Sequence, residues 1–137
     1  MEATTARWIK QAEHDFSNAQ QTFDIELYDL CLISCQQAVE KIIKALYIKM
    51  KATEPPRIHS LRKLVELVGI VDDLTDKVVD LDGYYLALRY PDVTERMPYE
   101  SCTKYDAEKG LQKTREIIQL VKDKIYQQKT DEQSSNR

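Results

Sequence analysis

The apolar residues of this chain recur at helical intervals almost from end to end. Ile9, Ala12, Phe16, Ala19 and Phe23 follow one another at steps of 3, 4, 3 and 4. That spacing lays one stripe along a helix, and no strand can produce it. It predicts a first helix over residues 5–23, capped by Thr4 or Thr5, with Trp8 widening the stripe at its start. A second helix, predicted over 26–50, carries two stripes. One is Leu27, Cys31, Ser34/Cys35, Ala38, Ile42 and Ala45; the other is Leu32, Val39, Ile43, Leu46 and Met50. A helix apolar on two faces is packed on two sides. It is either the central helix of its own core or a layer between that core and a partner chain. Its length is about 40 Å at 1.5 Å per residue.

Pro55-Pro56 cannot sit inside a helix and marks a connection. His59 or Ser60 then opens a short helix over 60–68, with Leu61, Leu64, Val65 and Val68 inward and Gly69 at its stop. Leu74, Val78, Leu81, Tyr85 and Leu88 predict a fourth helix over 74–88. Gly83 lies inside it at a cost of roughly 1 kcal/mol, and Pro91 ends it. Residues 89–103 read as an irregular loop, long for a compact domain and of the kind that often carries function. A fifth helix over 104–128 follows from Ala107, Leu111, Thr114, Ile118, Val121 and Ile125. The expected architecture is all-α: an up-and-down bundle of four or five helices, two of them long. It forms a single domain over 1–128, and the polar residues 129–137 are expected to be a flexible tail.

Composition narrows the function classes. Of the 137 residues, 42% are hydrophobic and 31% charged, with only 3 Gly and 4 Pro. These values suit a globular helical protein and not a turn-rich β fold. No apolar run is long enough to span a membrane, and residues 1–5 show neither the basic start nor the apolar stretch of a secretory signal. Three cysteines, Cys31, Cys35 and Cys102, form no Cys-x-x-Cys pair. Reduced thiols and a cytoplasmic location are expected. With His14 and His59 as the two imidazoles, no metal site and no resident cofactor are expected. The net charge of −3, from 20 basic and 23 acidic residues, is too low for a binder that uses its whole surface on nucleic acid. A local basic region stands out between Lys41 and Lys63, where Glu54 is the one opposing charge.

The residues that could carry chemistry collect around Leu81–Asp92. Tyr84, Tyr85, Tyr90 and Arg89 cluster at a helix end just before the long loop. Arginine offers a planar fork of donors to phosphate or carboxylate, and tyrosine rings offer stacking faces and hydroxyls. Asp92 could hold the Arg89 guanidinium in place; equally, Tyr rings at a bundle end and an Arg–Asp pair could simply staple the loop. His59, at the start of a helix, could join exposed backbone N–H groups around an anion, or serve as a loop residue. On the second helix, Gln36, Glu40 and Lys44 fall at successive turns, with Gln37 and Lys41 beside them. A Glu40–Lys44 pair on a solvated face would be worth only a few tenths of a kcal/mol.

Several short motifs, taken together, resemble the HEPN domain family of small helical proteins. Gln36-Gln37-Ala38-Val39-Glu40-Lys41-Ile42-Ile43-Lys44-Ala45-Leu46 resembles that family's second-helix signature. Ala12-Glu13-His14-Asp15-Phe16 resembles its first helix, His59-Ser60-Leu61 its third-helix start, and Leu81 through Asp92 its Leu-Asp-x-x-Tyr…Arg-Tyr-Pro-Asp ending. The resemblance implies a helical bundle that forms a homodimer and acts beside a minimal nucleotidyltransferase in a toxin–antitoxin-like module. Many relatives are metal-independent ribonucleases that use Arg-x4–6-His. Here Thr94, Glu95 and Arg96 stand where that His would follow Arg89. The expectation is therefore a non-catalytic protein with no catalytic residue, binding nucleotide or RNA phosphate. Arg89 and Lys44 would contact phosphate, Tyr85 and Tyr90 would stack or donate hydrogen bonds, and Asp92 would orient Arg89, with Glu40, Lys41 and His59 completing the site. A divergent ribonuclease toxin and a purely structural interaction module are the alternatives.

Overall fold

The computed structural model describes residues 2–69, 71–92 and 95–135, with side chains described for these except 71–73 and 128–135. It is helical throughout. The elements are α1 (Ala3–Asp24), α2 (Tyr28–Lys51), α3 (Leu61–Val68), α4 (Val71–Asp82), α5 (Tyr84–Ala87) and α6 (Lys104–Ser135), with one 3-10 turn at Pro98–Glu100. Among the described residues no helix is long and apolar enough to cross a membrane.

Contacts between side chains fix the directions of the helices. Lys41 meets Asp15, and Lys44 lies over Trp8, so α1 and α2 run antiparallel. Lys113 pairs with Asp80 and Lys77 with Glu116, so α4 runs antiparallel to α6. The result is the expected up-and-down bundle, with α3 packed against both α2 and α4.

The two stripes of α2 are both buried within this one chain, apart from Leu27 at the start of the first, which is exposed. Leu32, Val39, Ile43 and Leu46 are as inaccessible as Cys31, Cys35, Ala38, Ile42 and Ala45. Of the second stripe only Met50 is exposed. Packing against α1, α3 and α6 covers both faces. The second stripe therefore marks a central helix and supplies no argument for a partner chain. Close approach of α2 and α6 depends on Gly110, where an added Cβ would lie 2.4 Å from Leu32 Cδ2.

Four local features differ from the pattern. The α1–α2 corner is Ile25–Leu27, with Glu26 in the left-handed region at φ 64. α1 begins at Ala3 after Glu2, with no side-chain cap, and Thr5 is buried instead of capping. The predicted fourth helix is broken at Gly83 into α4 and α5, although Gly83 itself keeps helical backbone angles. The break coincides with the Asp82 carboxylate being drawn to the start of α3. The backbone of α6 continues to Ser135, past the predicted end at Gln128. The Lys, Gln and Glu residues there are good helix formers, and no Gly or Pro interrupts them. Thr94, Asn136 and Arg137 lie outside the described residues.

Candidate phosphate-binding site

The site grows from a polar stripe on an otherwise buried helix. Gln36, Glu40 and Lys44 occupy successive turns of α2, and all three are buried. Glu40, 8% exposed, is the hub. Its Oε1 accepts from Gln36 Nε2 at 3.3 Å and meets His59 Nδ1 at 3.0 Å, while its Oε2 accepts from Lys44 Nζ at 3.2 Å. An uncompensated carboxylate at this depth would cost several kcal/mol, and these partners offset it. The Glu40–Lys44 pair is thus a buried pair and not a solvated one. Lys44, 5% exposed, sits behind Glu40 with its ammonium 6.0 Å from the Trp8 ring centre.

His59 is placed by its backbone as much as by its ring. Gln36 Nε2 also donates to the His59 carbonyl at 3.3 Å. Next along the chain, Ser60 caps α3, its hydroxyl accepting from Lys63 N at 3.3 Å. Asp82, at the end of α4, accepts from Leu61 N at 2.6 Å and from the Ser60 hydroxyl at 3.5 Å. A carboxylate on the exposed N–H groups of a helix start is favourable in charge as well as hydrogen bonding. The clamp ties α3 to the α4–α5 break and so brings His59 against α5.

The His59 and Tyr85 rings are stacked, centres 4.3 Å apart and planes 12° from parallel. The Arg89 guanidinium lies 4.3 Å from the centre of the same Tyr85 ring and donates to the Tyr85 carbonyl at 3.4 Å. Tyr85 thus carries both an imidazole and a guanidinium. With Gln36, Gln37, Glu40 and Lys41 these three residues line a cleft of about 280 Å³. Lys41 reaches its rim while bonded to Asp15 at 2.5 Å.

Of the residues expected from the pattern, Arg89, Tyr85, His59, Glu40 and Lys41 converge on one cleft. Lys44 does not line this cleft; its ammonium is turned to Glu40 Oε2. Tyr90 and Asp92 are exposed and do not line it. The expected Asp92–Arg89 pair is absent among the described residues; the ring and carbonyl of Tyr85 orient the guanidinium instead. Gln36, read from the sequence as one turn from Glu40, does line the cleft, whereas the role of Asp82 has no local signal. The i,i+4 relation of Gln36 to Glu40 appears as a hydrogen bond, while Asp82 acts only through the tertiary contact with α3.

The cysteines stand apart from this chemistry. The hydrogen bond with Cys35, together with burial, pushes the Cys31 thiol far above the ordinary range. Burial pushes Cys102 up to about 11. Thiols so shifted stay protonated and unreactive near neutral pH.

The model of the HEPN domain matches residues 5–124, and the chain belongs to the HEPN family. Two solved structures share the fold over their full length. TT1696 from Thermus thermophilus is 28% identical with a TM-score of 0.79, covering 90% of this chain and 99% of its own. ST0689, described as an archaeal HEPN homologue, is 33% identical with a TM-score of 0.76, covering 91% and 99%. No curated protein matches the chain.

Proposed function

We propose that this HEPN protein binds the phosphate groups of a nucleotide or nucleic acid in the cleft between α2, His59 and α5. One observation carries the reading. The Arg89 guanidinium is half-buried against Tyr85 and makes no ion pair with a described carboxylate. A guanidinium fork fixed in place, beside Lys41 and His59, suits a phosphate geometrically and in charge. Family membership extends the proposal: the chain works as a homodimer with a minimal nucleotidyltransferase, as a non-catalytic member of a toxin–antitoxin-like module. The test follows melting while ATP and short RNA are titrated. A ligand at 100 times its Kd stabilises by about 2.7 kcal/mol, and Arg89→Ala is expected to remove that shift. A melting curve insensitive to both ligands leaves a structural interaction module. Light scattering at micromolar concentration tests the dimer, and a monomer there removes it.

One observation favours a second reading, that of a divergent metal-independent ribonuclease. The sequence places no His after Arg89, yet the fold brings His59 onto the same Tyr85 ring. With Nδ1–H donated to Glu40, Nε2 carries the free lone pair, as a general base requires. RNA cleavage in chelator, lost in both His59→Ala and Arg89→Ala, supports it; intact RNA at high protein concentration excludes it.

A further inference from the structure

The cleft at Arg89 does not end at Lys41. Lys41 also lines a second cleft with Thr4, Arg7, Trp8 and Gln11, of about 410 Å³. Thr4 and Trp8 in turn line a third, the largest of the three at about 710 Å³, closed by Lys44, Ile48 and the Pro55–Arg57 connection. Lys41 is common to the first two clefts and Thr4 and Trp8 to the last two, so the three lie side by side in a row along α1 and α2. Gln36 and Ile48 mark its ends on α2, about 18 Å apart at 1.5 Å per residue.

The chemistry along this groove alternates. Arg89 and Lys41 lie at one end, Arg7 follows, then the half-buried Trp8, then Arg57. Arg7 and Arg57 are exposed and form no ion pair among the described residues. Three carboxylates also line it: Glu40 is neutralised by Lys44, while Glu2 and Glu54 lie at the Arg57 end. Lys41 is already paired with Asp15, so away from that end the positive charge without an ion-pair partner among the described residues lies on Arg89 and Arg7, either side of Lys41, with Trp8 at its boundary. Cations tracking a backbone, with an aromatic face among them, are what a single nucleic-acid strand needs. A mononucleotide would use only one end. Stacked bases rise about 3.4 Å each along a strand, so the groove matches about five nucleotides.

We infer that the groove binds a short single strand of nucleic acid, with phosphates on Arg89, Lys41 and Arg7 and a base stacked on Trp8. This rests on the phosphate reading of the Arg89 cleft and extends it to a strand. An acidic peptide would satisfy the cations but would bring no flat ring to stack on the indole.

Trp8 is the one tryptophan in the chain, so its emission reports on the groove directly. Uridine monophosphate and oligouridylates of increasing length, up to eight nucleotides, are titrated against the full chain. Affinity is expected to rise about tenfold or more from monomer to tetramer, with quenching of Trp8 by the longer strands only. Arg7→Ala, at an exposed position, is expected to weaken the longest strand several-fold and leave the monophosphate unchanged. Trp8→Phe keeps a stacking face and most of the affinity; Trp8→Leu loses it. Equal affinity for monomer and octamer, with unchanged emission and full dependence on Arg89, overturns the groove and leaves the phosphate site standing. Failure of every probe overturns both. A polyglutamate peptide of matching charge that binds as tightly as the octamer overturns the stacking claim.

Discussion

The two flanks of α2 are built on opposite principles. Toward α6 the helix is dry: Leu32, Cys31 and Cys35 are fully buried, and Leu32 closes over Gly110. Toward α3 and α5 the same helix buries Gln36, Glu40 and Lys44 and links them to His59. Both flanks are packed, yet only the first is what stability alone favours. Replacing a buried ion pair by apolar residues of like volume is often neutral or stabilising. A polar network at this depth, opening onto an arginine, suits a site that must hold a cleft in shape. The contrast separates the residues that make the bundle from those that make the cleft.

The largest expected effect lies on the polar flank. Glu40→Ala removes the partner of a buried lysine, and the stranded ammonium is expected to cost about 3–5 kcal/mol of stability in urea unfolding. A loss below about 1 kcal/mol would mean that Lys44 finds water or another partner and that the flank is not closed. On the dry flank, Leu32→Ala is expected to cost about 2–5 kcal/mol while leaving phosphate binding by the folded protein unchanged. Gly110→Ala sharpens the same point, because its Cβ would meet Leu32 Cδ2 at 2.4 Å. It is expected to destabilise the native background by about 1–3 kcal/mol. In the Leu32→Ala background the clash is gone and the same change is expected to stabilise, by up to about 1 kcal/mol of helix propensity. Additive effects in this double-mutant cycle would contradict the close approach of α2 and α6.

Much of this was legible in the spacing of apolar residues. The four long or medium helices, both stripes of α2 and a helix start at His59 or Ser60 follow from local rules that act within a few residues. The break at Gly83 and the burial of Lys44 do not, since each is decided by a neighbour distant in sequence: Asp82 reaching α3, and Glu40 receiving His59. The Arg89–Asp92 pair is a different case, because both competing partners of Arg89 are local, Asp92 three residues on and Tyr85 four residues back. The Tyr85 ring and carbonyl won that guanidinium instead. The convergence of His59 with Arg89 has no sequence period at all; it is a product of the α3–α4 clamp.

Smaller effects define the edges of the comparison. Arg89→Ala is expected to cost under about 1 kcal/mol of stability, the worth of an accessible cation–ring contact, while lowering affinity for phosphate-bearing ligands at least about tenfold. A loss of stability comparable to Glu40→Ala would make Arg89 a structural staple. On the outer face, a hydrogen bond from Lys113 and its charge hold Asp80 below the ordinary carboxylate value. Its folded-state pKa is lower than its unfolded one, so its contribution is present above about pH 4 and fades as pH falls through the lowered value. The pair is exposed, so Asp80→Asn is expected to cost only a few tenths of a kcal/mol at pH 7. That difference should disappear in unfolding curves at strongly acidic pH.

The most direct measurement replaces the polar core of the cleft while keeping its volume. The Gln36→Leu, Glu40→Met, Lys44→Leu triple variant is compared with the native chain for urea unfolding and for titration with a short oligouridylate. An unfolding free energy equal to or above the native value, together with at least about tenfold weaker binding, is the predicted result. A variant that loses stability yet binds the strand as tightly as the native chain would contradict the assignment of this network to the cleft.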